Sequence, residues 1–456
     1  MQRDHQVNQL EVLATLQRLL KKANHKIEGL TKRSNDVNAI GRRKVKVKRW
    51  KYVWVKPFLD TTIRDFRVWQ RLYDPSWFLI LRSGDPMVDQ ELRKPDPGWT
   101  SEGAAVMHRA ARVGTAVSSS PPSLTGSQPS TTPPVFLPHE RPATAETSAT
   151  PFSSASVARI PGQNNLVIID PIPCPPGTYI GTLSQDIRNL ASKLQVVDPL
   201  NFGILKCRGV VKQSTNNGAR LASFDVVFEF ATPGQPCSLR SRLLSSTVYS
   251  LTDRIQLAKQ LATAVSYVHT LNFVHKNIRL ENLIGFENEA DTALLPFYLI
   301  GFEQLRTVDG HTYMRGDNDW WRNLCRHPDR QGPVPEERYN IGHDTYSLGV
   351  CLLEIGLWQS FVQYDAKGVV DSTGEELGPR AREFQRARPH ALKDHLVELA
   401  RRRLPQAMGI VYAGVVHECL TCLDNDEDDD SEDPAGAVPE ADAVSMGVRY
   451  HEQVSN

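Results

Sequence analysis

The sequence predicts an α+β protein with a helical N-terminal segment, a disordered linker and a larger globular domain. Apolar residues in the first 34 positions recur at steps of three and four, which places them on one helical stripe. Residues from about 100 to 161 are rich in Ser, Thr, Pro and Ala and poor in large apolar residues. Between residues 164 and 423, candidate strands come first and candidate helices follow, which favours an α+β arrangement.

Composition sets broad limits on the class of protein. The chain has 456 residues, 40% hydrophobic and 23% charged, which is typical of a soluble protein with a buried core. The net charge of +1 combines a basic run and an acidic run, so it does not indicate a partner. Seven scattered cysteines favour a reducing compartment. No run approaches the ~18 apolar residues of a membrane helix, and we expect a cytoplasmic or nuclear protein.

The helical prediction covers residues 1–98. Within it, Arg42–Lys51 is a basic run with interleaved valines. It is either a nuclear-import signal or phosphate-attracting patch, or the solvated start of a second helix. That second helix is predicted from apolar residues on one side, namely Leu59, Ile63, Phe66, Trp69 and Tyr73.

Residues 99–162 are predicted to be a disordered linker, because they contain too little apolar surface to offset the entropy of ordering. The globular domain, residues 163–456, begins with candidate strands at 166–170, 202–211 and 224–230. A helix is predicted at 184–197, with Ile187, Leu190, Ala191 and Leu194 on its buried face. A longer helix at 250–270 opens with Ser250 and Asp253 in capping-box positions, and Ile255, Ala258, Leu261, Val265 and Val268 face inward.

The end of the chain contains two features with more than one interpretation. Cys419 and Cys422, with His417 nearby, form a lone C-x-x-C pair. They are either a metal or redox pair or core thiols of a buried helical face that includes Ile410, Val411, Val415, Val416, Leu420 and Leu423; without a second pair, core thiols are favoured. The acidic block 424–433 is predicted to be a flexible loop, or a partner for a basic segment such as Arg42–Lys51.

Four motifs in the globular domain follow one another in a recognisable order. "VHKNIRLENLIGF" has the spacing of the catalytic loop H-R-D-x-x-x-x-N and follows the predicted helix 250–270. Leu299–Glu303, "LIGFE", stands where the strand and D-F-G turn would be. Pro335-Glu336 resembles the end of the activation segment, and "DTYSLG" from Asp344 resembles the start of the central helix.

On these motifs the domain resembles a two-lobed protein kinase. Phrases such as "DPSWFLILRSGDP" and "YAGVVHECLTCLD" also resemble fungal kinase-like proteins with a degenerate kinase domain. The N-terminal segment resembles, in part, the prion-inhibition and propagation (HeLo-type) helical domain of fungal incompatibility proteins. Together the resemblances cover residues 40–95 loosely and 164–455 well.

The resemblance implies catalytic positions, and several carry residues that cannot do the chemistry. Asn277 stands at the catalytic aspartate, and a neutral carboxamide is not a base. Gly301 stands at the magnesium-binding aspartate and offers no ligand. Asn282 keeps the second metal-ligand position, although a single amide oxygen is a poor magnesium site, and the alternative is that it bonds the loop backbone. No catalytic, cofactor or metal residue is therefore assigned.

The nucleotide-binding elements are also absent from the sequence. "PCPPGTYIGT" takes the place of a glycine-rich loop, and the strand "LVIID" ends on Asp170 rather than on a lysine. The helix 184–197 has Asp186 but no glutamate to pair with such a lysine. Lys206 lies on a later strand and is expected to face solvent.

The retained positions are structural. The resemblance implies that His275 packs beneath the catalytic turn and that Asp344 ties the loop backbone to the central helix. Val350, Leu352, Leu353 and Ile355 are expected in the helix core. Glu281 and Glu303 lie near the degenerate motifs, and a migrated metal-binding role for one of them is the alternative.

Three functional hypotheses remain open. The first is a pseudokinase that acts as a protein-binding or signalling switch module, in fungal incompatibility or cell-death type signalling. It implies a protein partner and no cofactor, with ATP and magnesium bound only if residual nucleotide binding persists. The second is an atypical serine/threonine protein kinase. The third, nucleic-acid binding through residues 42–51, has no support in the globular part, although the same run is a candidate contact for an anionic membrane or an import receptor.

Overall fold

The computed structural model describes a large part of the globular domain and short pieces before it. The described ranges are 134–137, 147–159, 166–215, 220–245, 247–287, 295–304, 306–307, 318–333, 335, 338–378 and 388–424, together with 31–37, 43–47 and six single positions before residue 63. Chain contacts define two compact units, one of Met1–Trp77 with Val444–Asn456 and one of Phe78–Ala443.

The first unit contains an antiparallel hairpin formed by β1 (Thr31–Val37) and β2 (Arg43–Val47). The predicted helix over residues 1–34 is therefore wrong at its C-terminal end, and Arg43–Val47 does not start a helix. The reason is the alternation of basic residues and valines in "RKVKV", because a period of two fits a strand. The remaining described positions in the predicted helices are helical, and they are Arg18, Lys21, Lys56, Phe58, Thr61 and Thr62. The rest of residues 1–98 lies outside the described residues.

The second unit opens with a five-stranded antiparallel sheet in the order β3-β4-β5-β7-β6. Its strands are β3 (Ser148–Ala149), β4 (Ser156–Arg159), β5 (Leu166–Pro173), β6 (Cys207–Ser214) and β7 (Leu221–Glu229). The strand predicted at 166–170 is confirmed and extends three residues further. The strand predicted at 202–211 begins later, at Cys207, because a short helix, Pro199–Phe202 (α2), precedes it.

Part of the predicted linker belongs to this sheet. β3 and β4 lie within residues 99–162, and Phe136 pairs with Val210 at the opposite edge. Ala155 and Ala158 are buried, at 1% and 0% exposure. The prediction of disorder is wrong for 134–137 and 147–159. Composition averaged over sixty residues hid short stretches that pair with an existing sheet edge, where backbone hydrogen bonds offset the entropy of ordering.

A helix, α1 (Ile180–Leu194), packs on the sheet through the predicted face. Ile187, Leu190, Ala191 and Leu194 are all buried, as predicted. The helix begins at Ile180, before the predicted start. The sheet itself contributes a second apolar cluster, formed by Ala158, Val167, Ile169, Val211 and Val227.

The rest of the unit is mainly helical. The principal helices are α3 (Leu239–Leu243), α4 (Leu251–Thr270), α5 (Trp320–Leu324), α6 (Ile341–Leu357), α7 (Pro389–Met408) and α8 (Ile410–Leu420). Short strands join them: β8 (Gln235–Ser238), β9 (Phe273–Val274), β10 (Leu283–Glu287), β11 (Phe297–Leu299), β12 (Arg306–Thr307), β13 (Val362–Tyr364) and β14 (Val370–Thr373). The described residues thus combine antiparallel sheets with helices, as the α+β prediction requires.

Two of these helices test the predicted core. The capping box of α4 is present, with Ser250 and Asp253 bonded reciprocally. Its inward residues are buried, except that Ile255 is only partly buried. In α6 the predicted core residues Val350, Leu352, Leu353 and Ile355 are all buried.

The face predicted for α8 is only partly correct. Val415, Val416, Cys419 and Leu420 are buried, whereas Ile410 and Val411 are 79% and 59% exposed. These two residues occupy the first turn of the helix, immediately after Gly409 ends α7. The acidic block after Asp424 lies outside the described residues.

Candidate functional site

The loop at His275 is held to helix α6 by one buried carboxylate. Asp344 is fully buried and accepts four hydrogen bonds, from the backbone amides of His275 (2.7 Å) and Lys276 (2.8 Å), the Tyr339 hydroxyl (2.7 Å) and His269 Nε2 (3.0 Å). Burial opposes ionisation of this group. The hydrogen bond and charge of His269, with the other donors, nevertheless hold the pKa of Asp344 below its usual range.

His275 itself lies inside the protein. It is 0% exposed, and its ring lies 4.8 Å from the ring of Phe302. Burial lowers its pKa to about 4, against the opposing charge of Asp344. The imidazole is therefore neutral near pH 7 and packs beneath the turn that contains Gly301 and Phe302.

Asn277 uses its hydrogen-bonding groups within the chain. Its Nδ2 donates to the Gly301 carbonyl and to Glu303 Oε1, both at 3.0 Å. Its Oδ1 accepts from Arg279 Nε at 2.9 Å, and the residue is only 5% exposed. A carboxamide in this position cannot take a proton from a substrate hydroxyl, and it is not presented to solvent.

Asn282 joins the end of the loop to its middle. Its Nδ2 donates to the Asn277 carbonyl at 2.7 Å, and its backbone carbonyl accepts from the Ile300 amide at 2.9 Å. Its Oδ1 is buried and has no hydrogen-bond donor among the described residues. Asn282 thus mainly stabilises the loop backbone, and its Oδ1 is an acceptor without a donor among the described residues.

The turn at Gly301 requires glycine. Its φ is +88°, a conformation that side-chain-bearing residues rarely adopt, and a Cβ there would collide with the Asn282 carboxamide. A metal-binding aspartate therefore cannot replace Gly301 without moving Asn282. Glycine supplies no metal ligand at position 301, and the backbone conformation with the adjacent Asn282 leaves no space for a residue that would supply one.

Asp170, on strand β5, contacts this same turn. One carboxylate oxygen, Oδ2, accepts hydrogen bonds from the backbone amides of Gly301 (2.9 Å) and Phe302 (3.1 Å). The two segments are 131 residues apart in sequence. In the sequence, Asp170 stands out only because the strand "LVIID" ends on it and not on the lysine of a nucleotide-binding strand. A single aspartate inside the apolar run "LVIID" was the available signal, since a buried carboxylate needs a partner.

The surroundings of Asp170 disfavour its charged form. The residue is 0% exposed, and burial raises its pKa to about 7 against the hydrogen bonds of the two amides. Glu303 and Asp225 add negative charge that acts in the same direction. Its second oxygen, Oδ1, is buried and has no donor among the described residues.

The two glutamates near the loop are both engaged. Glu281 is bonded to Arg240 Nε at 2.9 Å and to the Tyr364 hydroxyl at 2.8 Å. Burial opposes its ionisation, but the charge of Arg240 brings its pKa below the usual value. Arg240, itself buried, also holds Glu354. Glu303 accepts from Asn277 and lies 3.4 Å from Arg322 Nη1.

These residues fit a magnesium–ATP complex poorly. Magnesium at nucleotide sites is usually held by one or two carboxylates, phosphate oxygens and water, and the oxygens without donors here are Asp170 Oδ1 and Asn282 Oδ1. Burial raises the pKa of Asp170 to about 7, which disfavours the ionised form that a cation requires, and β5 contains no lysine that could contact a phosphate. Within the described residues, no group of three metal-binding side chains of His, Cys, Asp or Glu is present.

Other predicted positions lie away from this site. Lys206 is half exposed and pairs with Glu229 at 3.3 Å. The segment "PCPPGTYIGT" connects β5 to α1 and is not the turn between the first two strands of the sheet; that turn is Thr150–Ala155. Cys419 is buried in α8, and Cys422 Sγ lies 3.4 Å from the Gly342 carbonyl. Pro335 is buried, and Glu336 lies outside the described residues.

Comparison with known proteins identifies weak relatives over part of the chain. Serine/threonine-protein kinase DCLK1 of Rattus norvegicus is 28% identical over 110 residues, which are 24% of this chain and 23% of that protein. Serine/threonine-protein kinase H2 of Homo sapiens is 25% identical over 144 residues, 31% of this chain and 34% of that protein. Myosin light chain kinase A of Dictyostelium discoideum is 34% identical over 76 residues, which are 16% of this chain and 25% of that protein.

The relatives support a kinase-like protein. The chain spans 23% to 34% of the length of these three proteins. No family model matches the chain. No helix among the described residues is long and apolar enough to cross a membrane.

Proposed function

We propose that the protein is a pseudokinase, a kinase-like protein without phosphoryl transfer, that acts as a protein-binding or signalling switch module. A five-stranded sheet with one packed helix, followed by a mainly helical part, supports a two-lobed kinase-like arrangement. The weak kinase relatives support the same arrangement. In this proposal the loop at His275 is retained for its shape.

The hydrogen bonds of Asp170 are the observation that favours this function most. Its carboxylate occupies the backbone amides of Gly301 and Phe302, beside Asn277 and Asn282. Its bonds hold β5 against the turn at Gly301 and Phe302, and in its ionised form the group repels a triphosphate. Asn277 and Gly301 offer neither a base nor a metal-binding carboxylate, and the amides of the turn at Gly301 are already bonded to Asp170.

Further elements of the proposal come from the sequence, its resemblances and the pairing of β4 with β5. The signalling context is fungal incompatibility or cell death, with residues 1–98 as a partial HeLo-like segment. The partner is a protein, and the protein works in the cytoplasm or nucleus. The basic run at Arg42–Lys51, part of which forms β2, is available for an anionic membrane or an import receptor. The domain of residues 163–456 is extended at its start by 147–159, which belong to the same sheet.

The test is phosphate transfer by the full chain. Labelled ATP with magnesium or manganese is supplied with general protein substrates, and incorporation into substrate and into the chain itself is measured. We expect incorporation no greater than the background without protein. Asn282→Ala and the control Asn189→Ala, on helix α1, should both match the wild type. Transfer that survives Asn189→Ala and disappears in Asn282→Ala would overturn the proposal.

An atypical serine/threonine protein kinase is the second candidate, and two orphan acceptors favour it. Asp170 Oδ1 and Asn282 Oδ1 are both buried without a donor among the described residues, and both residues contact Gly301. A cation held between two such oxygens would give each a partner. This candidate requires transfer by the wild type that is abolished by Asp170→Asn as well as by Asn282→Ala.

A further inference from the structure

The turn between β3 and β4 reaches beyond its own sheet. It consists of Thr150–Ala155 and is closed by hydrogen bonds from the Thr150 amide to the Ala155 carbonyl (3.0 Å) and from the Ser153 amide to the Thr150 carbonyl (3.1 Å). Phe152, near its tip, has φ of +57°, which is a strained conformation for an aromatic residue. A strained tip persists only where surrounding contacts hold it.

Two contacts hold this tip. The Phe152 ring lies 4.6 Å from the ring of Tyr364 on β13, with the planes inclined at 59°. The Ser238 hydroxyl, at the end of β8, donates to the Pro151 carbonyl at 2.6 Å. Both partners are distant in sequence, and neither belongs to the five-stranded sheet. Phe152 is only half-buried, so the aromatic contact is open to solvent at its edge.

From this turn, contacts lead to the candidate site on both sides. On one side the Tyr364 hydroxyl donates to Glu281 at 2.8 Å, and Glu281 is the neighbour of Asn282 in the loop. On the other side β4 pairs with β5, with Ser156 opposite Ile169, the residue before Asp170. The same hairpin is therefore joined to the strand that carries Asp170. Through Tyr364 it is also joined to the loop containing Asn282, whose carbonyl accepts from Ile300 beside the turn that Asp170 bonds.

We propose that the turn Thr150–Ala155 is an internal strap: docked on Tyr364 and Ser238 it keeps the site closed, and its release is the step that opens it. The ends of the strap, Thr150 and Ala155, are buried, whereas its tip is held by one aromatic pair and one hydrogen bond, and release of the tip relieves the strain at Phe152. Such a small contact can be displaced by a partner with modest differential affinity for the open state. The inference deepens the proposed function, because it identifies the bistable element of the switch.

Hydrogen–deuterium exchange of the full chain without nucleotide tests the strap. The amides of Gly301 and Phe302 report on the site directly, because they donate to Asp170. We compare the wild type with Phe152→Ala and with Tyr179→Ala, a truncation of a 69% exposed aromatic residue outside the strap. We expect Phe152→Ala to speed exchange at 150–155 and at 300–302 by about fivefold or more. Tyr179→Ala should leave both segments unchanged.

A second variant separates strap release from general loosening. Tyr364→Phe keeps the aromatic contact with Phe152 and removes the hydrogen bond to Glu281. We expect faster exchange at 280–283 with no change at 150–155. Faster exchange at 150–155 in Phe152→Ala with no change at 300–302 would overturn the strap, and so would equal acceleration across the whole unit. Because no nucleotide is present, this result is independent of the phosphate-transfer test of the proposed function.

Discussion

Two fully buried aspartates hold two segments of the candidate site, and they behave differently: Asp344 bonds the loop at His275, and Asp170 bonds the turn at Gly301. Asp344 accepts four hydrogen bonds, and its pKa is held below the usual range. Asp170 accepts two on a single oxygen, and burial raises its pKa to about 7. Both are 0% exposed, so burial alone does not explain the difference. The number of donors and the sign of the neighbouring charges decide it.

The difference supports the proposal that the loop at His275 is retained for its shape. Asp344 is surrounded by donors, and it fixes the loop backbone at His275 and Lys276. Asp170 has negative neighbours in Glu303 and Asp225, and it retains an oxygen without a donor. A carboxylate of the first kind stabilises the fold; one of the second kind lowers stability at neutral pH and is retained for another reason, which we infer to be closure of the site.

The largest expected effect is that of Asp344→Ala. It leaves the amides of His275 and Lys276 and the Tyr339 hydroxyl buried without an acceptor. We expect a loss of about 3–5 kcal/mol in the free energy of unfolding at pH 7, measured by denaturant titration. Because the folded pKa of Asp344 is lowered, its stabilisation is present above the unfolded pKa and is lost as the pH falls through the folded value. The deficit of the variant should therefore shrink in acid.

The control for this prediction is Asp371→Ala. Asp371 is exposed on β14, and its removal should change stability by no more than about 0.5 kcal/mol. Equal effects of the two substitutions would contradict the role of Asp344 as the anchor of the loop.

The second prediction concerns Asp170→Asn and has the opposite sign. A carboxyl group whose folded pKa is raised favours folding when protonated, so its penalty grows as the pH rises from about 4 to about 7. Replacement by a neutral amide removes this penalty. Relative to the wild type, the variant should gain about 2 kcal/mol between about pH 5.5 and about pH 8.

The comparison with the wild type is essential here, because buried histidines add their own dependence of stability on pH below about 6.5. Burial lowers the pKa of His275 and His327 to about 4 and that of His343 to about 3. Neutral burial of these rings stabilises the fold above pH 6.5, and that stability is lost as the pH falls below it. The two proteins share this dependence, so their difference isolates Asp170. A difference that does not vary with pH would contradict the raised pKa.

The smallest of the three effects is expected for Tyr339→Phe, which removes one of the four donors to Asp344. A hydrogen bond to a charged acceptor contributes about 1.5–3 kcal/mol, and we expect a loss near the lower end because three donors remain. The matched control is Tyr412→Phe, whose hydroxyl donates to the neutral Leu352 carbonyl at 2.7 Å. It should cost about 1 kcal/mol. A larger loss in the control would indicate that the charge on Asp344 adds nothing.

Local signals predicted part of this structure. The capping box at Ser250 and the buried face of α1 were predicted because each depends on residues within one helix. The motif positions of His275, Asn277, Asn282, Gly301 and Asp344 were found by their spacing. Their hydrogen-bond partners are not encoded by spacing, apart from the expected bonds of Asp344 and of Asn282 to the loop backbone.

Long-range pairing accounts for the remainder. The contact between Asp170 and Gly301 joins segments 131 residues apart, and no local pattern encodes it. The same holds for the hairpin of residues 147–159, whose composition predicts disorder but whose backbone completes a sheet edge. For β1 and β2 the reason differs. The alternation in the short basic run Arg43–Val47 favours a strand, the apolar stripe before it favours a helix, and strand pairing prevails.

Magnesium–ATP binding by the full chain tests the central claim most directly. Calorimetric titration of the wild type, Asp170→Lys and Asn282→Ala measures whether the site accepts a nucleotide. The account predicts no saturable binding by the wild type and no difference between it and Asn282→Ala, because Asp170 closes the turn at Gly301. Saturable binding by the wild type that Asn282→Ala weakens would show that the loop has kept its chemistry as well as its shape.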